Sequence, residues 1–510
     1  MALELELFLT SLIFCLVPLL FLLFLIKLKS TTPKTDGTLL SSKIPKSYPI
    51  IGSFFSFIAN KDRRIEWISD VLQSTSNLTF TLICPLSFHL IYTANPSNVH
   101  HMLKARFDNY PKGPFWRSTF ADVLGDGIFN VDGDKWKYQR QIASHEFNIT
   151  SLRKFIETVV YREISGRLIP ILATAAANKT VVDFQDILQR FAFDNVCNFA
   201  FGYDPGQLLP PSGPPDQENF SAAFDDAVRL SFERLLIPFP FIWKIRRALD
   251  IGSEKKLRVA VEQVRKFAKE IVREKQGKTD LLSRFLSSTN GQPDEEDFVM
   301  DNAISFILAG RDTISAALTW FFWLISKHPQ VESQILKEIS NISEGVQYYD
   351  EVKNKMMYTQ ASLAETMRLY PPVPEDIREA TEDDILPDGT FVKKGTRVIY
   401  HPYAMGRVEK VWGKDWAEFR PERWLNRDAV TGNWIFVAKD AYTYPVFQAG
   451  PRICLGKEMA FLQMKSLVAA ILQRFKVVPV VEQGVEPVFI SNISAKMQGG
   501  FPVTIQERVP

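Results

Sequence analysis

The first strong pattern in the chain is a nearly unbroken run of apolar residues at 7–26. About twenty such residues in a helix, at a rise of roughly 1.5 Å each, span a hydrocarbon core of about 30 Å. The preceding flank is acidic and Lys27 and Lys29 follow the run, which disfavours a cleaved signal peptide and places the lysine side in the cytosol. The pattern predicts a retained transmembrane anchor at 7–26, followed by a polar, proline-containing connector at 27–50.

The longest helical pattern after the anchor covers 297–327 and is hydrophobic on most of its faces. Such a segment is either a second membrane span or a helix buried in a protein core. Asp301, Arg311 and Asp312 decide between the two, because each charge would cost roughly 2.5–3.5 kcal/mol near the middle of a span. We therefore predict a buried central helix whose charged side chains need partners or a function.

From residue 51 onward the pattern is mostly helical and contains no internal repeats. Residues 254–277 place their apolar side chains on one stripe, which predicts an amphipathic surface helix. Alternating segments at 79–94 and 389–406 predict two β-hairpins, and 426–436 is predicted to be a loop. The fold class is therefore mainly α with a small β region, and 51–510 is predicted to be one catalytic domain.

Composition and charge narrow the possible functions. The 60 Lys and Arg against 58 Asp and Glu leave a net charge of +2, which gives no support to a nucleic-acid-binding protein. The cysteines at 15, 84, 197 and 454 lie far apart and form no CxxC or Cys/His cluster, so a structural zinc site is not expected. Free thiols in a reducing compartment are the better interpretation.

One cysteine stands in the segment FQAGPRICLG at 447–456, which carries its own chemistry. Gly450 and Gly456 allow the backbone to bend close to a flat macrocycle, and Phe447 can shield the sulfur from water. Arg452 offers a forked guanidinium to a haem propionate. The helical pattern after Gly456 places Cys454 near a helix N-terminus, whose dipole favours a thiolate. A buried structural cysteine is the alternative, but the combined positions favour a ligand to haem iron.

This segment resembles the haem-binding loop of the cytochrome P-450 superfamily, and further signatures follow in that family's order. Glu365 and Arg368 resemble its ExxR pair, with Arg423 as the third member of a buried structural triad. In isolation the pair could be a surface ion pair at spacing i,i+3. The resemblance implies a cytochrome P-450 fold after one N-terminal transmembrane helix, with haem b bound through Cys454 as the metal ligand.

The central helix carries AGRDT at 309–313, which resembles the oxygen-activation motif of the same family. The resemblance implies that Thr313 presents its hydroxyl beside the iron and that Asp312 relays protons through water. Gly310 would allow a local opening of the helix. A helix-capping or interhelix salt bridge is the alternative for Asp312.

Two further sets of residues follow from the resemblance. Trp136 and Arg140 match WxxxR, whose side chains share a helical face and reach a propionate, and Arg378 matches a further propionate contact. The substrate pocket is expected to include residues of 110–129 and 230–243. It is also expected to include Ser305, Ala309, Val373, Phe489 and Ile490.

Longer segments, among them FDNYPKG at 107–113, are similar to plant fatty-acid ω-hydroxylases. The resemblance implies insertion of one oxygen atom from O₂ at the terminal carbon of a long-chain fatty acid, with electrons from NADPH delivered by an NADPH-cytochrome reductase. With the anchor, it implies a single-pass protein of the endoplasmic reticulum membrane, in contact with membrane lipid and with its catalytic domain in the cytosol. Jasmonoyl-amino-acid conjugates are alternative substrates. An enzyme that rearranges fatty-acid hydroperoxides and a non-enzymatic haem-binding protein are alternative functions.

The anchor can be tested by deleting residues 1–30. We expect the full chain to pellet with membranes and the truncated chain to be extracted by salt or mild detergent, because the apolar run provides the main membrane contact. Haem content, measured on both forms, should be the same. Equal resistance of the two forms to extraction would contradict the predicted anchor.

Overall fold

The computed structural model describes residues 44–49, 51–85, 88–209, 216–237, 239–273, 281–287, 294–340, 342, 348–481 and 485–508. The predicted anchor at 7–26 and most of the predicted connector therefore lie outside the described residues. Lys43–Pro510 forms one compact unit. Within the described ranges, we find no helix with both the length and the apolar character needed to cross a bilayer.

Helices make up most of this unit. Those of eight or more residues are Arg64–Ser74 (α1), Gly113–Leu124 (α2), Gly133–Ser144 (α3), Ile169–Asn178 (α4), Phe184–Phe201 (α5), Asp216–Leu236 (α6), Pro240–Ala248 (α7), Gly252–Arg273 (α8), Asp294–Lys327 (α9), Pro329–Ile339 (α10), Tyr348–Lys355 (α11), Met357–Leu369 (α12) and Lys457–Arg474 (α13). Shorter helices include Phe54–Ala59, Pro96–His100, Ile149–Lys154, Leu281–Ser287, Pro402–Met405 and Glu409–Trp412.

The strands are short and form several small sheets. They are Thr79–Ile83 (β1), His89–Thr93 (β2), Val181–Asp183 (β3), Asp376–Glu379 (β4), Asp384–Ile385 (β5), Phe391–Val392 (β6), Arg397–Tyr400 (β7), Leu425–Arg427 (β8), Trp434–Phe436 (β9), Phe475–Pro479 (β10), Phe489–Ser491 (β11), Ala495–Met497 (β12) and Pro502–Glu507 (β13). The largest sheet has the order β1-β2-β7-β4, in which β2 and β7 are parallel and the other pairs antiparallel. A second sheet has the order β10-β13-β3.

The predicted fold class, mainly α with a small β region, is confirmed, but two of the β predictions are wrong. The hairpin at 79–94 is present as β1 and β2, with Thr79 opposite Thr93. Residues 389–406 do not form a hairpin, since β6 pairs with β5 and β7 lies between β2 and β4. The predicted loop at 426–436 contains the paired strands β8 and β9. Alternation identifies a strand but not its partner, and three-residue strands are too short to show alternation.

The central helix α9 lies in the core, as its hydrophobic pattern predicts. Ile304, Leu318 and Phe321 are fully buried along its length. The predicted amphipathic helix is also confirmed as α8, which buries its apolar stripe and contacts α9.

A buried carboxylate explains one of the charges in α9. Asp301 accepts hydrogen bonds from the backbone N–H of Asp126 at 2.7 Å and from Arg265 of α8 at 2.7 Å. The adjacent Asn302 accepts a hydrogen bond from the N–H of Ile128 at 3.3 Å. Asp301 and Asn302 therefore fix the segment after α2 against α9, beside the cavity described next.

Candidate active site

The cysteine segment at 447–456 leads directly into α13. Gly450–Arg452 forms a 3₁₀ turn, and the N–H of Cys454 donates to the carbonyl of Phe447 at 2.8 Å. Lys457 begins α13, so Cys454 lies just before a helix N-terminus, as its sequence context predicts. Cys454 retains accessible surface and borders a cavity of about 280 Å³.

Burial raises the pKa of the Cys454 thiol, while the N–H of Gly456 and the positive charges of Arg140 and Lys457 lower it. The other two described thiols lie away from this cavity. Burial raises the pKa of Cys84 to about 11, and Cys197 is fully buried with its pKa raised for the same reason. Of the cysteines in the described ranges, Cys454 is therefore the one placed to bind a metal in the cavity.

The two glycines of the segment have different surroundings. Gly450 has a φ of +64°, and a Cβ there would lie 1.9 Å from the carbonyl oxygen of Leu103. Gly450 therefore allows the loop to pack against the backbone near Leu103. A Cβ at Gly456 would make ordinary contacts, 3.5 Å from Phe147 and 3.9 Å from the Cys454 sulfur.

The helix motif at 309–313 brings Thr313, but not Asp312, to the cavity. Thr313 lines the wall and donates its hydroxyl hydrogen to the carbonyl of Ala309 at 2.7 Å. Gly310 also lines the cavity, and α9 is continuous through this residue. A Cβ there would lie 2.4 Å from Val196 of α5. The expected local opening is therefore not seen, and Gly310 instead permits close packing of two helices.

Asp312 is buried among other polar side chains. Its carboxylate accepts hydrogen bonds from Arg311 at 2.9 Å and from the hydroxyl of Ser494 at 3.3 Å. Arg311 also contacts Asp225 of α6 at 2.6 Å. Asp312 therefore pairs with its neighbour Arg311 within α9, and it is not among the residues that line the cavity.

Basic side chains line one region of the cavity. Arg378 is 1% exposed and pairs with Asp376 through one nitrogen at 3.1 Å, while its Nε and Nη1 have no hydrogen-bond acceptor. A buried guanidinium with unmatched donors is costly. This arrangement favours an anionic group of a ligand beside Arg378.

The predicted Trp136–Arg140 pair lies in the same region. Both residues project from α3 to the cavity. The Arg452 guanidinium lies 4.4 Å from the centre of the Trp136 ring and that of Arg140 lies 5.8 Å from it. Arg140 donates to the carbonyl of Ile453 at 2.7 Å, and Arg452 pairs with Asp132 at 2.6 Å.

The charges and the walls of the cavity fit haem b. The cations Lys112, Arg140, Arg378 and Arg452 line the cavity, and the carboxylates paired with them are Asp376 and Asp132. Two positive charges remain, which match the two propionates of haem b. The thiol of Cys454 and a largely apolar wall complete a site suited to an iron porphyrin.

Sequence reasoning missed Lys112 and Asp376. Lys112 donates to Asp376 at 2.5 Å, and burial lowers the pKa of the lysine to about 8. Burial opposes ionisation of Asp376, but Arg378 and Lys112 outweigh it and hold the pKa of its carboxyl well below the usual range. The two-residue period of a strand could have indicated that Asp376 and Arg378 share a face of β4.

The expected substrate residues are only partly brought together. Ala309 and Val373 line the cavity, as do Ile128 and Phe129 of the 110–129 segment. The described residues of 230–243 are not among those that line it.

Three of the expected substrate residues do not line the cavity either. Ser305 is buried against Gly127 and donates to the carbonyl of Asp301 at 2.9 Å. Phe489 packs on Tyr403 with ring centres 5.3 Å apart, and its neighbour Ile490 lies opposite Lys496 in the β11–β12 pair. Aromatic packing and strand pairing thus hold β11 away from the cavity.

The predicted triad of Glu365, Arg368 and Arg423 is present. Glu365 and Arg368 of α12 are fully buried, with two nitrogen–oxygen contacts of 2.8 Å. Arg423 reaches the same carboxylate at 3.2 Å. Arg368 also donates to the carbonyls of Trp416 at 2.8 Å and Glu418 at 3.0 Å. The triad therefore joins α12 to the chain segment that precedes the cysteine loop.

Comparison with known proteins agrees with this site. The sequence profile of the family "Cytochrome P450" matches residues 43–503. Cytochrome P450 94A1 of Vicia sativa is 56% identical over 91% of both chains, and Cytochrome P450 94A2 of the same plant is 54% identical over 99% of both. Cytochrome P450 94B1 of Arabidopsis thaliana is 46% identical over 91% of both. The solved heme domain of cytochrome P450DA has a TM-score of 0.74 at 19% identity, with 91% of this chain and 97% of that chain covered.

The chain belongs to the cytochrome P450 family. Its enzyme class is that of the haem-thiolate monooxygenases, and the cofactor of the family is haem. The resemblance stated from the motifs is thereby confirmed.

The role of Cys454 can be tested by replacing it with alanine. We expect the variant to lose the red-shifted Soret band of the reduced carbon monoxide complex, because that band requires a thiolate ligand. Cys84→Ala and Cys197→Ala are controls that should keep the band, since neither thiol borders the cavity. A Cys454→Ala protein that keeps the band would contradict the assignment.

The triad generates a stability prediction. Arg368→Ala should lower the free energy of unfolding by about 3–5 kcal/mol, because it leaves the buried carboxylate of Glu365 without its main partner. Arg63→Ala is a matched control: it removes an exposed pair with Asp70 at 2.7 Å and should cost about 0–1 kcal/mol. Denaturant unfolding checks both values, and equal losses would argue against a structural role for the triad.

Proposed function

We propose that this monooxygenase hydroxylates the terminal carbon of long-chain fatty acids, with electrons from NADPH supplied by an NADPH-cytochrome reductase. One observation carries the proposal: the charged residues lining the cavity all belong to one set, the propionate-side cluster, whereas the wall beside Thr313 is apolar. The cluster consists of Lys112, Arg140, Asp376, Arg378 and Arg452. That wall includes Val196, Ala309, Ile314 and Val373. An apolar wall suits an alkyl chain end, and the sequence similarity to plant fatty-acid ω-hydroxylases supports this substrate class.

The chain's own residues would hold the cofactor and present the substrate. Haem, when bound, supplies the oxygen-activating chemistry, and a thiolate ligand favours cleavage of the O–O bond. Cys454 would bind the iron, and Arg140, Arg378 and Arg452 would hold the propionates. The hydroxyl hydrogen of Thr313 is held by the carbonyl of Ala309, so its oxygen is free to accept a hydrogen bond from water in the cavity.

Membrane location is part of the proposal. The apolar run at 7–26 would anchor the chain in the endoplasmic reticulum with its catalytic domain in the cytosol. On α7 and just after it, Phe241, Ile245 and Leu249 expose 53–62% of their surfaces. Lys244 and Arg246 lie on the same helix. Exposed apolar side chains next to basic ones suit the interface of a lipid membrane, from which a fatty acid would enter.

Product analysis tests the substrate class. The full chain, reconstituted with an NADPH-cytochrome reductase, is incubated with saturated and unsaturated fatty acids and with jasmonoyl-amino-acid conjugates. We expect NADPH- and O₂-dependent formation of terminal hydroxy acids from the fatty acids. Faster turnover of the conjugates would assign the alternative substrate, and absence of NADPH-dependent oxidation would favour a non-enzymatic haem protein. Conversion of hydroperoxides without NADPH would indicate rearrangement chemistry.

Thr313→Ala tests proton delivery separately from haem binding. We expect hydroxylation to fall by about 10²-fold, the effect of losing a positioned acid–base group, while the carbon monoxide spectrum and substrate binding stay unchanged. NADPH should still be consumed, with its electrons reducing O₂ to hydrogen peroxide. Added peroxide should restore part of the product.

Ser315→Ala is the matched control for this variant. Ser315 lies on the same helix and donates its hydroxyl hydrogen to the carbonyl of Arg311 at 2.9 Å, but it does not line the cavity. Its replacement should leave hydroxylation coupled to NADPH consumption. Full coupling in Thr313→Ala as well would show that the threonine hydroxyl takes no part in proton delivery.

A further inference from the structure

A single buried carboxylate connects several of the segments that surround the cavity. Asp376 is 4% exposed. It accepts hydrogen bonds from Lys112 at 2.5 Å, the N–H of Ile377 at 2.8 Å, the hydroxyl of Tyr400 at 2.9 Å and the amide of Gln448 at 2.9 Å, and it pairs with Arg378 at 3.1 Å. A carboxylate can accept about four hydrogen bonds, so this one is saturated by protein donors.

These donors come from separate parts of the chain. Lys112 precedes α2, Tyr400 ends β7, and Gln448 belongs to the cysteine segment. Gln448 has a φ of +62°, a left-handed conformation that is uncommon for a residue with a side chain. The hydrogen bond from its side-chain amide to Asp376 therefore helps to hold the start of the cysteine segment in this conformation.

The charge of Asp376 is shared by two cations that line the cavity. Lys112 and Arg378 both contact it, which leaves one excess positive charge in this group. The Nε and Nη1 donors of Arg378 remain without an acceptor. A second group, in which Arg140 and Arg452 accompany Asp132, has the same excess. The cluster thus offers one uncompensated positive charge for each propionate.

We propose that Asp376 is a positioning residue for the haem: it holds Lys112 and Arg378 in place, fixes the net charge that faces one propionate, and thereby sets the reduction potential of the iron. A negative charge near the haem stabilises the ferric form, which carries one more positive charge than the ferrous form. The inference depends on the haem site and not on which substrate the enzyme uses.

The test is the midpoint potential of the haem iron in the purified full-length holoenzyme, measured by redox titration at pH 7. Burial lowers the pKa of Lys112 to about 8 even though Asp376 raises it. Loss of that carboxylate favours the neutral lysine, so the titration is repeated at pH 5.5. Asp376→Asn should raise the potential and Lys112→Met should lower it, because they remove charges of opposite sign. The double variant should return close to the potential of the unaltered protein. A role limited to packing would not produce shifts of opposite sign.

Tyr400→Phe is the matched control, since it removes the hydroxyl that contacts Asp376 and Gln448 without changing the charge, and its potential should stay unchanged. Shifts in the same direction for Asp376→Asn and Lys112→Met, or a potential of Asp376→Asn holoenzyme that is unchanged at both pH values, would overturn the proposal. If Asp376→Asn does not retain haem, Lys112→Met decides: a lowered potential supports the proposal and an unchanged one overturns it.

Discussion

The bidentate contact between Glu365 and Arg368 is the interaction on which the rest of the site depends. Both side chains are fully buried, and neither charge would be tolerated there without the other. The carboxylate also accepts hydrogen bonds from the indole of Trp424 at 2.9 Å and from the N–H of Arg420 at 3.0 Å. One ion pair at the end of α12 therefore organises the segment that leads, through β8 and β9, to the cysteine.

The same constraint recurs around the cavity and along α9, where every buried charge needs a partner. Asp301 has Arg265, and Asp312 has Arg311, which in turn has Asp225. The cations of the propionate-side cluster are only partly matched by the protein. The positive charges left unmatched around the cavity are thus the ones that a dianionic cofactor would neutralise.

Much of this architecture could be predicted from the sequence, because the relevant signals are local. Length and charge identified α9 as a buried helix, and the segment around Cys454 identified the thiol and its position before α13. What could not be predicted depends on contacts between distant residues. The periodicity of 389–406 indicates strands but not that β7 lies between β2 and β4. Likewise, Asp312 follows the family motif, yet its carboxylate is held by Arg311 and by the distant Ser494.

The contact between Gly310 and Val196 has a consequence for how chains of this kind can diverge. With a Cβ at position 310 only 2.4 Å from the valine methyl group, α5 and α9 could keep their spacing only if position 196 became smaller. The two positions should therefore covary: alanine at 310 should be accompanied by glycine at 196, because the Cβ of Val196 would itself lie 2.6 Å from the new Cβ. A change at 310 alone would push the helices apart one turn from Thr313, so the close crossing of these helices restricts which substitutions the catalytic segment can accept.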